Sequence, residues 1–222
     1  MLQGDCLDLL NNIPNNSIDL VLTDPPYGID YQSQRRKDKS TWKPKIKNDK
    51  MPFLDWIELI KPKIKSTGGV LCFTRWTVQQ VFIDEFTRQD MKPKSIIIWD
   101  KLNHSMGDLR RAWGNRYESI IWWANDGFSF PDKRPQDIIS IPKVPSSKLI
   151  HPNEKPVGLL SILVEKTTCQ KATVLDCFMG SGSTGIACIN TGRDFIGMEL
   201  DEHYFKLAKE RIEQHKGEND YR

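Results

Sequence analysis

The sequence predicts an α/β protein, a mostly parallel β-sheet with helices packed on both of its faces. Three observations carry that expectation. Short apolar stretches alternate with longer segments of helical apolar spacing along most of the 222 residues. The last third reads as strand, helix, strand, helix without interruption. A glycine-rich stretch joins the first of those strands to its helix, which is where parallel α/β units place their tight turns.

Taken in order, residues 18–23 form a buried strand that Asp24-Pro25-Pro26 ends, because two consecutive prolines continue neither a central strand nor a helix. A helix fits 53–66, kinked at Pro62, and Gly68-Gly69 breaks it before a strand at 70–73. Residues 77–89 have helical spacing through Val78, Val81, Phe82 and Phe86. Strands follow at 95–99 and 119–124. Segment 100–117 between them is polar, and 125–152 reads as an extended, proline-rich surface stretch with a strand-like piece at 138–141. Pro156 suits the first position of a helix running to about residue 169. The final units are a strand at 173–176, a helix at 182–191, a strand at 195–199 and a helix from Asp201 to about residue 215, with Asp201 as its cap.

Composition narrows the class. Hydrophobic residues make up 38% and charged residues 27%, as expected for a globular chain and not for a fibre or a wholly disordered one. The longest apolar runs, such as Ile120 to Ala124, are only about five residues and cannot span a bilayer. The first residues lack a basic, apolar secretory leader, so no membrane association and a cytoplasmic location are expected, in a bacterial cell or phage-infected host. Five scattered cysteines with no C-x-x-C pair argue against a disulfide framework or a zinc ribbon, and the histidines show no ligand spacing; no metal is expected. Net charge is +3, but residues 28–50 hold eight Lys or Arg against three Asp, so this stretch is +5 and the remainder −2. Such a run is either a solvated loop or a mobile basic arm for a polyanion.

Two constellations carry chemistry. The stretch from Asp176 to Gly185 contains G-x-G-x-x-G between a strand and a helix, and Glu199 stands nineteen residues after Gly180 at the end of the next strand. Glycines there let the backbone approach a ligand at a helix amino end, and an acid so placed accepts hydrogen bonds from ribose hydroxyls. No Walker motif is present. The second is Asp24-Pro25-Pro26-Tyr27, a rigid corner that offers a carboxylate, a backbone carbonyl and an aromatic ring. Its acceptors suit an exocyclic amine, and its ring suits a base taken out of the duplex.

With these motifs the chain resembles the permuted, beta-group amino-methylating DNA methyltransferases that use S-adenosylmethionine, in which the catalytic motif precedes the cofactor motif. The resemblance runs through Gly4-Asp5-Cys6, Asp24 to Tyr27, Gly68-Gly69-Val70, His151 to Pro156, Asp176 to Gly185 and Gly197-Met198-Glu199, in the family's order. It implies a single domain over 1–222 with a Rossmann-like methyltransferase fold. It implies that Asp24 and the Pro25 carbonyl, on the corner shared with Pro26, hold the target amine, and that Tyr27 stacks on the flipped base. Asp176, Phe178, Gly180, Ser181 and Gly182 would line the cofactor together with Asp24, with Ser183 and Thr184 near its methionine end. Glu199 would bind the ribose, Asp5 and Cys6 the adenine, and Lys155 would lie near the cofactor carboxylate. Only Met1 to Gln3 precede Gly4, so the strand expected there is very short.

The implied reaction is methyl transfer to a base amine of double-stranded DNA, with adenine N6 favoured over cytosine N4 because the motif begins with Asp and not Ser. No cysteine stands in the Pro-Cys pattern of a carbon-5 enzyme. Methylation of RNA or a protein amide shares the cofactor chemistry but more often begins the motif with Asn. A nicotinamide oxidoreductase gives no reason for the Asp24 corner, and a DNA-binding module without catalysis gives none for the cofactor loop. DNA contact is expected on the basic loop 28–50, with Arg35, Arg36, Lys37 and Lys39, on 100–117, with Arg110, Arg111 and Arg116, and on 125–152. The resemblance allows a homodimer.

Overall fold

Strand β2 (Ile18–Thr23) lies in the middle of the sheet, buried along almost its whole length, as expected of a parallel strand covered on both faces. The computed structural model describes residues 1–28, 51–104, 110–145, 147, 149 and 153–220. Among them the strands are β1 (Leu2–Gln3), β2, β3 (Ile64–Thr74), β4 (Ser95–Asp100), β5 (Tyr117–Ala124), β6 (Ile138–Ser140), β7 (Thr173–Asp176) and β8 (Asp194–Glu199). They form one sheet in the order β1-β8-β7-β2-β3-β5-β4-β6. Strands β1, β8, β7, β2 and β3 run parallel, β5 is antiparallel to both of its neighbours, and β6 is parallel to β4.

Alternate residues of the strands feed two cores. On one face Val21, Val70, Ile121, Trp123 and Leu175 pack with α1 (Cys6–Leu10), α2 (Trp56–Ile60) and α3 (Gln79–Arg88). On the other, Leu20, Leu22, Leu71, Phe73, Ile120 and Val174 pack with α4 (Val157–Thr167) and α5 (Ser183–Thr191). The last helix, α6 (Glu202–Asp220), buries Ala208 and Ile212 and lies against α5. Its first turn is capped by Asp201, whose carboxylate accepts from the backbone N–H of His203 at 3.0 Å and of Tyr204 at 3.3 Å. Among the described residues no helix is long and apolar enough to cross a membrane.

The expected alternation of strands and helices is present, with four corrections. Strand β3 begins at Ile64 and not at Val70. Pro62 stops the α-helix in a short 3-10 turn at Lys61–Lys63, and Ile64 then pairs with Ile18. Gly68 and Gly69 stand inside the strand and do not break it. A Cβ on Gly69 would lie 2.5 Å from the Trp122 ring, so glycine here permits close packing of β3 on β5. Helix α1 was not expected, being only five residues long. Segment 125–145 is held to the body, since β6 pairs with β4 while Phe128 and Phe130 pack on Trp122 with ring centroids 5.0 and 6.2 Å away.

What this topology does for a ligand follows from β2 and β7. They are neighbours, yet β2 leads to β3 on one side and β7 to β8 on the other. Between their carboxyl ends the chain diverges, which opens a crevice where such sheets bind ligands.

Candidate active site

That crevice is a cavity lined by Gly4, Asp5 and Cys6, by Thr23 to Pro26, and by the loop from Asp176 to Ser181 with Ser183 and Thr184. Phe53, Phe73, Glu154, Lys155, Glu199 and Tyr204 complete its walls. Of the residues the sequence marked for cofactor or catalysis, Asp5, Cys6, Asp24, Pro25, Pro26, Lys155, Asp176, Phe178, Gly180, Ser181, Ser183, Thr184 and Glu199 all meet here. Tyr27 and Gly182 do not line it.

The cofactor-type half is built on β7 and β8. Asp176 ends β7 fully inside the protein, where one carboxylate oxygen accepts from the Thr23 hydroxyl at 2.8 Å and the Phe178 N–H at 3.0 Å. Its other oxygen accepts from the Thr184 hydroxyl at 2.7 Å. One carboxylate thus ties the end of β2, the glycine loop and the start of α5 together. Gly180 and Gly182 take left-handed backbone angles, φ 51° and 76°, and a Cβ on Gly182 would press on Ile212 at 2.9 Å. Gly182 therefore serves the turn and its packing on α6, and of the two it is Gly180 that lines the cavity. Glu199 accepts from the Gly180 N–H at 2.9 Å with one oxygen and from the Asp201 N–H at 2.8 Å with the other. The short β1 pairs with β8, and the Gly4 N–H donates to the Glu199 carbonyl at 2.9 Å, so the segment before α1 is brought to the same wall.

Burial pushes the Asp176 carboxyl up to about 6, against the hydrogen bonds that favour its charged form. The folded protein therefore holds this proton to about pH 6, whereas an unfolded aspartate releases it near pH 4. Stability contributed by protonated Asp176 is lost as pH rises through that interval. Asp176→Asn cannot titrate, so urea unfolding at pH 4.5 and pH 7 isolates the group. The wild type is expected to lose about 2 kcal/mol relative to the variant between these two values. A gap that does not change with pH would show Asp176 ionised throughout.

The catalytic-type half is the corner after β2. Asp24 is held at both oxygens, one by the Tyr27 hydroxyl and the other by the Lys155 ammonium at 2.5 Å. Tyr27 is buried with its ring edge-on to Phe82, and its position backbone-pairs with Pro52. Its hydroxyl pKa is raised by burial and by Asp24, so it stays a donor. The stacking face expected of Tyr27 is thus packed inside the protein in this arrangement. Lys155 lines the cavity and also lies against Asp24, 3.3 Å from Glu118 and over the Phe73 ring at 4.9 Å. Burial pushes the Asp24 carboxyl up while Lys155 pulls it back. For Lys155 burial works toward neutrality, but Asp24 and Glu118 outweigh it and raise its pKa.

Sequence reasoning missed several members of this site. Glu118 is the one charged residue of a strand that is apolar from Ile120 onward, a signal that was there to be read. Arg211, on a helix that looks merely solvated, donates to the Ser181 carbonyl at 3.1 Å and pairs with Glu154 at 2.9 Å, clamping the glycine loop from outside. Phe53 and Trp56 set their rings edge-on to Phe178 at 5.9 and 5.8 Å.

The thiols near the site are poor nucleophiles, since burial pushes Cys6 up to about 12 and Cys177 well above its usual value. Arg35, Arg36, Lys37 and Lys39 lie outside the described residues, as do His151 and Pro152. The two ends of that basic segment meet at Gly28 and Met51, beside the Asp24 corner. Arg110 and Arg111 are exposed on the connection between β4 and β5, and Trp113 there is fully exposed, not a packing residue. Arg116 is engaged with Asp100 through bonds of 2.5 and 2.7 Å, which makes it a brace for that connection.

Comparison with known proteins bears on this geometry. The family model described as DNA methylase matches residues 18–210. The type II methyltransferase M2.MboI of Moraxella bovis is 29% identical over 96% of this chain and 86% of its own. The DNA adenine methyltransferase YhdJ of Escherichia coli (strain K12) is 26% identical over 96% of this chain and 82% of its own. Among solved structures, the M1.HpyAVI–SAM complex superposes with a TM-score of 0.72 at 25% identity, covering 95% of this chain and all of that one.

Proposed function

The chain belongs to the DNA methylase family, and from that premise we propose that it transfers a methyl group from S-adenosylmethionine to the exocyclic amine of a flipped DNA base, adenine N6. One observation supports this reading above the rest. The Asp24 corner and the Glu199 side of the glycine loop face one cavity, and buried Asp176 fixes one to the other. Adenine is favoured by the Asp that opens the motif and by the relative named as a DNA adenine methyltransferase.

The residues present fit the cofactor. Gly180 gives a backbone that approaches without a side chain, Glu199 offers a carboxylate to the ribose hydroxyls, and Asp5 and Cys6 close the adenine side. Ser181, Ser183 and Thr184 lie toward the methionine end, although the Thr184 hydroxyl is already spent on Asp176. When bound, the cofactor supplies a methyl group activated by its sulfonium.

The chain supplies position and charge. An amine on an aromatic base is a weak nucleophile because its lone pair is delocalised into the ring. Asp24 and the Pro25 carbonyl accept its two N–H groups, favour a pyramidal nitrogen and stabilise the positive charge that develops there. Tyr27 fixes one oxygen of Asp24 by donating to it. Double-stranded DNA is the partner, approached by the basic segment rooted at Gly28 and Met51 and by Arg110 and Arg111. The bacterial cytoplasm, where such DNA lies, is the location.

The test is transfer of isotopically labelled methyl from S-adenosylmethionine to unmethylated DNA, read by nucleoside mass spectrometry. Label in N6-methyladenine is expected. Label in N4-methylcytosine would keep the mechanism and overturn the base. Cofactor binding with no label in DNA would overturn the substrate class.

A further inference from the structure

Four charged side chains, all mostly withdrawn from water, form a continuous line of ion pairs: Lys101 to Glu118 at 2.7 Å, Glu118 to Lys155 at 3.3 Å, and Lys155 to Asp24 at 2.5 Å. Lys155 and Asp24 are both largely withdrawn from water, with side-chain exposures of 9% and 16%. We propose that Lys155, braced by Glu118, is a positioning residue that holds the Asp24 carboxylate in place for the target amine. This rests on the reading of Asp24 as the residue that receives that amine.

The geometry explains why two residues are required. Lys155 alone would turn the corner into a neutral pair, weakening the field that stabilises positive charge on the amine. Glu118 gives the ammonium a second carboxylate besides Asp24, so the charge of Lys155 is shared and not spent wholly on the corner. The Phe73 ring beneath Lys155 confines it further. Glu118 is the second residue of β5 and Lys101 follows β4, so the brace stands at the foot of the connection that bears Arg110 and Arg111.

The charged and titratable groups acting on or facing Asp24 are Lys155, Glu118 from β5, Tyr27 from its own turn, Cys72 from β3 and Asp176 from β7. Among these described groups Lys155 is the one cation and the larger influence opposing the burial that drives this carboxyl toward its neutral form, with the Tyr27 hydrogen bond acting in the same direction. The two substitutions therefore act in opposite directions. Lys155→Met leaves only the Tyr27 hydrogen bond against burial and Glu118, whereas Glu118→Gln removes a like charge and keeps the side-chain volume.

The experiment measures kcat against pH for wild type, Lys155→Met and Glu118→Gln on unmethylated duplex DNA, with cofactor affinity by calorimetry. For Lys155→Met, kcat is expected to fall about a hundredfold and its acid limb to move up by about one pH unit, with cofactor affinity kept. For Glu118→Gln the acid limb moves down. Cofactor affinity lost in Lys155→Met with the acid limb in place would overturn the inference and return Lys155 to the cofactor carboxylate. Should Lys155→Met fail to fold, an unmoved limb in Glu118→Gln overturns it alone. A wild type without turnover on DNA would sink the function itself, whereas active variants with unshifted limbs sink only the role of Lys155.

Discussion

Replacing Asp24 by alanine is expected to lower kcat by about a thousandfold while cofactor affinity survives. Among the described residues Asp24 is the one carboxylate at the corner where the target amine would sit, and no described neighbour there can substitute for it. Tyr27 and Lys155 are donors, and Glu118 lies beyond Lys155. Removing the acceptor deprives the developing positive charge of its counter-charge where water is largely excluded, and such terms are large there. The fold is expected to tolerate the change. Lys155 keeps Glu118 as a partner, so Asp24→Ala leaves no bare buried charge. Asp24→Asn is the finer probe. Both carboxylate oxygens receive donors, so the asparagine amide must turn its NH2 toward either Lys155 or Tyr27. Only tyrosine can reverse its role and accept. The variant then keeps one acceptor oxygen but loses the charge, and its turnover is expected to fall between wild type and alanine. Single-turnover methyl transfer at saturating cofactor decides this. An alanine variant within tenfold of wild type would overturn the mechanism.

What the sequence made legible at this site is what its local backbone demands. Asp24-Pro25-Pro26 and Gly180 to Gly182 combine residue types that suit only a rigid corner and a tight turn, and both stand where they were expected. The fold class followed from periodicity, because parallel strands buried on both faces and helices with one apolar stripe leave different spacings. What stayed hidden was set by partners distant along the chain. Lys155 meets Asp24 across 131 residues, and no spacing announces that the lysine after Glu154 meets this carboxylate. Tyr27 looked like a stacking platform because its motif ends at an exposed-looking turn. Phe82, contributed by α3, gives the ring an inside to pack against. The Gly68-Gly69 pair reads locally as a break, and only the Trp122 ring lying on it turns that break into a close approach between strands. Helix α1 is too short to show a period at all.

Glu199→Gln is expected to weaken cofactor binding on the order of a hundredfold, while kcat at saturating cofactor stays near that of wild type. The carboxylate does two things at once. It accepts from the backbone N–H groups of Gly180 and Asp201, one on each oxygen, and its remaining lone pairs face the cavity. Glutamine must present an NH2 to one of these N–H groups, setting donor against donor in a half-buried wall, and it loses the charge that strengthens every bond to a hydroxyl. Loss of affinity alone would not separate a disturbed loop from a lost ribose contact, so a second cofactor form is needed. S-adenosylhomocysteine and its 2′-deoxy analogue, titrated into wild type and variant, complete a cycle in which each change removes the same contact. If Glu199 holds the ribose, removing the hydroxyl weakens binding to wild type and adds little in the variant. If the two losses simply add, Glu199 acts only as a brace for the glycine loop. Together with Asp24→Ala, which spares affinity and removes turnover, this pair divides the cavity into a half that binds and a half that reacts.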